Sequence, residues 1–299
     1  MDFEKIKTDF EKRYDRKCEK IYFAGMGIEL FSENANTISG CVSLGEAMGI
    51  AKRDDGRITV QFSGSDSMTS FNVSDIDAHL GMRVPRLLKN AQSCGVKLGG
   101  ADIFIFKNSR ITDLLEPLLI GGLSAFCEKV PRKDALLSRF ENFEKNLMTL
   151  SGKEKSVTLF DGQRVTHIPF FGGKCKVVIT YVGGDFVPFK RTTGSSYNDA
   201  VLALKKGDME KFGMLLDKDT KKLLEENKCE QVEGIILAAK ATKDALANGI
   251  MPCGGVFSLV ENHKIDRFIR GVSSYRQKYF GGAPEFYVTD LVDSGFFVN

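Results

Sequence analysis

The residues best suited to bind a polar ligand stand in the segment SENANTISG, residues 32–40, between two extended apolar runs. Glu33 supplies a carboxylate, and Asn34 and Asn36 supply amides that can both donate and accept hydrogen bonds. Side chains of these types can bind the hydroxyl groups of a ligand. Two interpretations of the segment are open at this stage, a ligand-binding turn and a plain solvated loop.

Other site chemistries have little support in the sequence. His79, His167 and His263 do not share the spacing of metal ligands, so no metal site is predicted. The seven cysteines are scattered without a CxxC pair, most of them in apolar surroundings, and are interpreted as packing residues. Serine, histidine and aspartate occur without the local signature of a catalytic triad.

The composition is that of a folded globular protein. The 299 residues include 42% apolar and 27% charged side chains, and 42 basic and 39 acidic residues leave a formal charge of +3. Because the charges are scattered, neither nucleic acid nor a membrane surface is an expected partner. The sequence shows no signal peptide and no membrane-spanning run, and a cytoplasmic location is predicted.

The apolar periodicity predicts an α+β order of elements without regular βαβ alternation. Predicted strands cover residues 21–31, 40–51, 103–106 and 177–182. Predicted helices cover residues 84–94, 113 to about 128, and segments that end at Gly207 and Gly249. Asp55-Gly56 predicts a hairpin after the second strand, and Asp113 and Asp208 are predicted helix caps.

Several segments resemble galactokinases of the GHMP small-molecule kinase superfamily. The run FAGMGIELFSENANTISGCV resembles the first family motif, with matches at Phe23, Ala24, Leu30, Glu33, Gly40 and Val42. The segments VPRLLKNAQSCGVKLGGADIFIF, SSYNDA and the tail from GGVFSLVENHKIDRF to PEFYV extend the resemblance over nearly the whole chain. It implies a two-domain GHMP kinase fold, with a ribosomal-S5-domain-2-like α/β domain at residues 1–140 and a domain of antiparallel sheet and helices at 141–299.

The resemblance assigns the loop 32–40 to the sugar side of a kinase site. The family arginine near the transferred phosphate falls on Gly27, and the aspartate that grips the sugar falls on Asn36. Glu33 keeps the glutamate that contacts the sugar, whereas Asn34 replaces a histidine. Tyr197 matches a sugar-side tyrosine, with an ordinary half-buried tyrosine as the alternative. The implied substrate-binding positions are Glu33, Asn34, Asn36, Gly40 and Tyr197.

The glycine-rich phosphate loop of the family falls on KNSRITDLLE, residues 107–116. Its glycines are absent, and Asp113 stands where a serine would face the phosphates. At about 5 Å from a phosphate charge, this carboxylate would cost roughly 3 kcal/mol. An ordinary capped helix and an altered phosphate loop are the two interpretations. The candidate cofactor-binding residues are Lys107, Ser109, Thr112, Gly254 and Gly255, the last two from the third, glycine-rich motif.

The position of the family's catalytic aspartate falls on Lys145, or on Glu144 if the alignment shifts by one residue. A positioned acid or base contributes roughly 10² to 10⁴ in rate, so its loss would impair phosphoryl transfer. The sequence therefore predicts a galactokinase-like pseudokinase that retains sugar or partner binding. The alternative is an active ATP-dependent kinase for the anomeric hydroxyl of galactose or a related hexose. ATP and Mg²⁺ are expected only under this alternative, and the expected partners are a hexose such as galactose and a protein.

Overall fold

The computed structural model describes residues 1–34, 36–107, 109–130, 143–183, 196–251 and 254–298, with only the backbone at 143–145 and 172. The chain forms two compact units. Unit 1 contains Met1–Met26, Leu44–Leu150 and Asp293–Asn299, and unit 2 contains Gly27–Ser43 and Ser151–Val292. The sequence-based boundary at 140/141 differs from this division. The main boundary between the units lies at Leu150/Ser151. Residues 27–43 belong to unit 2 because the first two strands are long and extend into it. Residues 293–299 belong to unit 1 because the last strand pairs with the first.

Unit 1 is built on a sheet with the strand order β12-β1-β2-β5-β3-β4. The strands are β1 (Lys20–Glu33), β2 (Asn36–Arg53), β3 (Arg57–Phe62), β4 (Met68–Asn72), β5 (Gly100–Lys107) and β12 (Phe296–Val298). The outer ends of β1 and β2 belong to unit 2.

The predicted hairpin at Asp55-Gly56 is wrong in its pairing, although the turn itself exists. Gly56 has a φ of 68°, as such a turn requires. However, β5 lies between β2 and β3, antiparallel to β2 and parallel to β3. Residues 100–105 of β5 are all buried, so this apolar strand occupies the centre of the sheet and separates the two strands next to it.

The helices of unit 1 are α1 (Phe3–Tyr14), α2 (Arg83–Ser93), α3 (Leu115–Gly122) and α4 (Phe143–Leu150). Asp2 caps α1 by accepting a hydrogen bond of 3.0 Å from the Lys5 backbone N–H. Ile6 and Phe10 of α1 are buried in a core cluster with residues of the sheet. The predicted end of α2 is confirmed, since Gly95 follows it with a φ of 89°.

The helix predicted from Asp113 to about residue 128 is shorter than expected. It begins at Leu115, ends at Gly122 and continues as a 3₁₀ turn to Ala125. The predicted cap at Asp113 is also wrong, because the N-cap position is Leu114 and carries no side-chain hydrogen bond. Asp113 is bound instead by Arg83.

Unit 2 contains a four-stranded antiparallel sheet with the order β11-β8-β10-β9, as predicted for the C-terminal half. A hairpin of two further strands pairs with the outer end of β2. The strands are β6 (Ser156–Asp161), β7 (Val165–Pro169), β8 (Cys175–Tyr181), β9 (Ala245–Ile250), β10 (Val256–Glu261) and β11 (Glu285–Thr289). The helices are α5 (Tyr197–Lys206), α6 (Met209–Glu226), α7 (Glu230–Thr242) and α8 (Ile265–Tyr279).

The helix boundaries predicted in unit 2 are confirmed at one position and wrong at another. Gly207 ends α5 with a φ of 68°, and Asp208 caps α6 by accepting from the Lys211 N–H at 3.0 Å. By contrast, α7 ends before Lys243, and Gly249 lies in β9. A Cβ atom at Gly249 would lie 2.1 Å from the Phe257 ring, so this glycine permits close packing between strands.

Candidate functional site

The polar loop joins β1 to β2 within unit 2. Glu33 ends β1 half-buried, Asn34 is exposed with a φ of 55°, and Asn36 begins β2 half-buried. Asn36 pairs with Asp161 of β6 in the strand register. Among the described residues, the side chains of Glu33, Asn34 and Asn36 have no hydrogen-bond partner, so their polar groups are available to a ligand.

Tyr197 lies at the start of α5 and is 8% exposed. Burial and the nearby Asp161 carboxylate raise the pKa of its phenol. The hydroxyl therefore stays protonated at neutral pH, and it has no hydrogen-bond partner in the described part of the chain. Because Asp161 also pairs with Asn36, unit 2 brings the predicted tyrosine and the predicted loop to the same region.

The Asp161 carboxylate is hydrogen-bonded to backbone groups of its own turn. Its carboxylate accepts hydrogen bonds from the backbone N–H groups of Gln163, at 3.0 Å, and Arg164, at 2.7 Å. These bonds lower its pKa, so it is ionised at neutral pH. The turn fixes a negative charge beside Tyr197.

A cluster of aromatic rings fixes the end of β1. The rings of Phe31 and Phe212 are 5.3 Å apart in an edge contact, and Phe170 and Phe171 lie 6.0 and 5.5 Å from Phe212. Phe31 and Phe212 are almost completely buried. Two residues after Phe31, Glu33 is thus held on a rigid strand rather than on a free loop.

The two predicted glycine positions in this region differ in surroundings. Gly40 is buried, and a Cβ atom there would lie 2.6 Å from Leu291 Cδ2, so its place in the structure is a packing position. Gly27, at the position of the family arginine, is half-buried within β1.

Gly254 and Gly255, from the third motif, form the turn between β9 and β10. Gly254 has a φ of 82° and donates its N–H to the Met251 carbonyl at 3.0 Å. The Met251 N–H in turn donates to the Gly255 carbonyl at 2.8 Å. The two glycines therefore close a tight hairpin within unit 2, whereas Lys107, Ser109 and Thr112 belong to unit 1.

The counterpart of the phosphate loop follows β5 in unit 1 and binds a buried carboxylate of β2. Glu46 of β2 is directly opposite Lys107 in the strand register and is only 1% exposed. One carboxylate oxygen, Oε2, accepts a hydrogen bond of 3.3 Å from the Leu114 N–H, and the other, Oε1, lies 3.5 Å from Lys107 Nζ. A negative side chain thus binds an amide at the start of α3, the position typical of an anion site.

Asp113, a carboxylate of the loop itself, is paired as well. Asp113 binds Arg83 through two parallel hydrogen bonds of 2.9 and 3.0 Å. Ser109 Oγ accepts from the Ile111 N–H at 3.2 Å, and the Thr112 hydroxyl donates to the Ser109 carbonyl at 3.4 Å. These hydrogen bonds stabilise the conformation of the loop itself. Beside the loop lies a cavity of about 160 Å³, whose lining includes Glu46, Arg83, Lys107 and Asp113.

Sequence reasoning did not identify Glu46. The signal that could have found it is a lone acidic residue in the apolar run GEAMGIA, within a strand that the pattern already indicated. A charged residue that is buried in a strand requires a partner, and Lys107 is the partner that the register provides.

The side chains of Lys145 and Glu144, the two candidates for the catalytic position, lie outside the described residues. The next residue, Asn146, is fully buried and donates from Nδ2 to Glu116 Oε2 at 3.0 Å. Among the described residues, no group of histidine, cysteine, aspartate and glutamate side chains could hold a metal ion. None of the described helices is long and apolar enough to cross a membrane.

No family model matches the sequence, and a comparison with curated proteins finds no match. Solved structures do match. The Lactococcus lactis galactokinase complexed with galactose has a TM-score of 0.80 at 12% identity, covering 98% of this chain and 99% of that chain. A mevalonate kinase has a TM-score of 0.64 at 16% identity, covering 92% and 99%. The Methanococcus jannaschii mevalonate kinase has a TM-score of 0.61 at 15% identity, covering 91% and 98%.

These likenesses show the fold. The chain has the α+β fold that these galactokinase and mevalonate kinase structures have, and the fold predicted from the sequence is confirmed.

Proposed function

We propose that this protein is a GHMP-fold pseudokinase, which binds a hexose of the galactose type through unit 2 and does not transfer phosphate from ATP. The observation that carries the proposal is the Glu46 carboxylate on the Leu114 N–H. In a GHMP kinase, the loop before this helix has to offer backbone N–H groups to phosphate. Here one of those N–H groups, that of Leu114, already donates to a carboxylate of the same chain.

Electrostatics favour the same conclusion. Lys107 faces Glu46 and Arg83 faces Asp113, so the two cations that line the cavity beside the loop are both paired with carboxylates. A phosphate charge about 5 Å from a carboxylate is repelled by roughly 3 kcal/mol at an effective dielectric constant of about 20. With two such carboxylates and no glycine in residues 107–116, a nucleotide gains little from this loop.

The sugar part of the proposal is supported by the polar groups of unit 2. Glu33, Asn34 and Asn36 offer a carboxylate and two amides, and Tyr197 offers a protonated hydroxyl. Such groups can each donate to or accept from sugar hydroxyls, which need no compensating charge. A galactokinase complexed with galactose has the same fold, which makes a hexose the first ligand to test.

The test is calorimetry of the full chain with galactose, other hexoses, ATP and ADP, the nucleotides with Mg²⁺, together with an ADP-release assay. We expect millimolar binding of a hexose, no nucleotide binding at millimolar concentration and no ADP formation. Tyr197→Phe removes only a hydroxyl and is expected to weaken hexose binding several-fold. Tyr279→Phe, at a tyrosine that is 57% exposed, is the matched control.

Two results would overturn the proposal. ADP formation that depends on a hexose would establish the active sugar kinase instead. Absence of binding by every hexose would leave a protein partner as the remaining role for this fold.

A further inference from the structure

A pocket of about 290 Å³ lies in unit 1 between the end of α1 and the face of the sheet. None of its residues is among the candidate site residues considered above. Along β2, its residue Arg53 is seven residues from Glu46, which corresponds to about 23 Å at roughly 3.3 Å per residue. The pocket is therefore separate from the phosphate-loop counterpart. Its lining residues are Arg13, Tyr14, Arg53, Arg57, Thr59, Met68, Ser70 and Asp102.

The floor of the pocket is a polar row across three neighbouring strands. Thr59 of β3 pairs with Asp102 of β5 on one side and with Ser70 of β4 on the other. Paired residues of adjacent strands point to the same face, so the three side chains lie side by side. Asp102 is 2% exposed and Thr59 is 6% exposed.

The Asp102 carboxylate is paired with two arginines of the same chain. Its carboxylate accepts from Arg16 Nη1 at 2.8 Å and from Arg53 Nη1 at 3.1 Å. Arg53 also binds Asp55, with its Nη2 at 2.6 Å from Oδ2. The buried charge is thus paired as burial requires, and it fixes the two guanidinium groups in place.

Two more arginines add positive charge and have no ion pair with an acidic side chain among the residues that the structure describes. Arg57 Nε donates to Ser70 Oγ at 2.6 Å, which leaves its two terminal nitrogens without a hydrogen-bond partner in the described chain. Arg13 lies over the Phe104 ring at 5.0 Å, and its one hydrogen bond to a described residue is from Nη1 to the Ser65 carbonyl, at 3.5 Å. The pocket lining thus contains three guanidinium groups, those of Arg13, Arg53 and Arg57, and one carboxylate, Asp102, which is an excess of two positive charges.

We propose that this pocket binds the phosphate group of a small phosphorylated metabolite, with Arg57 and Arg13 as its principal ligands. A guanidinium group binds phosphate through two parallel hydrogen bonds, and Arg57 is already oriented by Ser70. The excess of two charges matches a phosphate dianion. A pocket of about 290 Å³, in a chain whose charges are scattered, favours a small ligand over a nucleic acid backbone.

The experiment titrates the full chain with inorganic phosphate, pyrophosphate and a hexose phosphate at constant ionic strength, by calorimetry and ³¹P NMR. We expect saturable binding of at least one of these with a dissociation constant below about 1 mM. Arg57→Gln should weaken it about tenfold, because the charge-assisted hydrogen bonds are lost. Arg57→Lys should weaken it as well, since lysine lacks the planar fork. The matched control is Arg270→Gln, at an exposed arginine of unit 2.

Each result decides the proposal. A preference for the hexose phosphate over inorganic phosphate would identify the source as an organic phosphate, and equal affinity would identify the free ion. Binding that persists unchanged in Arg57→Gln would place the anion elsewhere and overturn the proposal. Absence of saturation by all three ligands up to 10 mM, about ten times the expected limit, would also overturn it. Because Arg57 is exposed, we expect Arg57→Gln to remain folded, and circular dichroism of this variant checks that a loss of binding is not due to unfolding.

Discussion

Removal of Lys107 is expected to destabilise unit 1 much more than neutralisation of its partner. In Lys107→Gln, the Glu46 carboxylate remains 1% exposed with the Leu114 N–H as its remaining hydrogen-bond donor among the described residues. In Glu46→Gln, the amide oxygen can still accept from Leu114, and Lys107, which is 41% exposed, can be hydrated. The two variants remove the same ion pair and differ only in which charge is left behind.

The expected magnitude follows from that difference. Removal of one partner of a fully buried pair costs about 3 to 5 kcal/mol. Because Lys107 is partly exposed, we discount the cost for Lys107→Gln to about 2 kcal/mol, or roughly 30-fold in the unfolding equilibrium. Glu46→Gln should cost less than about 1 kcal/mol. Lys89→Gln is the control, since its ion pair with Asp77 is exposed and is worth less than about 1 kcal/mol.

The assay is urea unfolding followed by far-UV circular dichroism and tyrosine fluorescence, since the chain contains no tryptophan. The double variant Glu46→Gln/Lys107→Gln should have nearly the same stability as Glu46→Gln alone, because it contains no unpaired buried carboxylate at residue 46. The reasoning would be refuted by a Lys107→Gln protein as stable as the wild type. It would equally be refuted by a double variant whose loss equals the sum of the single losses.

Three further predictions concern packing, pH and thiol reactivity. Gly45→Ala should destabilise unit 1 by roughly 1 to 3 kcal/mol in urea unfolding, because the added Cβ would lie 2.2 Å from the Ala24 carbonyl oxygen. The control is Gly81→Ala, which should be close to neutral because no heavy atom lies within 4 Å of the added Cβ. Arg267 lowers the pKa of Asp244, so the stabilisation from Asp244 is complete above the ordinary carboxyl pKa and is lost as the pH falls through the lowered value. Arg267→Gln should therefore reduce the urea midpoint more at pH 7 than at pH 3, and an equal reduction at both would contradict the assignment. Burial raises the pKa of the Cys127 thiol to about 12 and that of Cys175 to about 11, so both should react slowly with a thiol reagent at pH 8 until urea is added.

The parts of the fold that could be predicted are those governed by local chemistry. The periodicity of α2, the glycine after it, and the Gly207–Asp208 junction depend on residues within one helical turn, and the structure confirms them. The resemblance to GHMP kinases predicted the α+β fold because its motifs extend along nearly the whole chain.

The parts that could not be predicted depend on residues far apart in the sequence. Asp113 has the residue type of a helix cap, yet its carboxylate is bound by Arg83, which lies 30 residues earlier in the sequence. Gly249 has the residue type of a helix end, but the Phe257 ring requires it within a strand. Glu46 became a candidate only when the register of β2 with β5 placed it opposite Lys107. The roles of the predicted sugar-side residues stay predictions.

The return of β12 to β1 affects any attempt to study the units separately. The register joins Ile21 to Val298, so the outer edge of β1 in unit 1 stays open during synthesis until residues 296–298 have been made. A gene cut at residue 140 or 150 would encode a piece of each unit and a complete copy of neither. A circular permutant that places residues 293–299 before Met1 would supply the missing edge strand first. It is the rational starting point for expressing unit 1 alone.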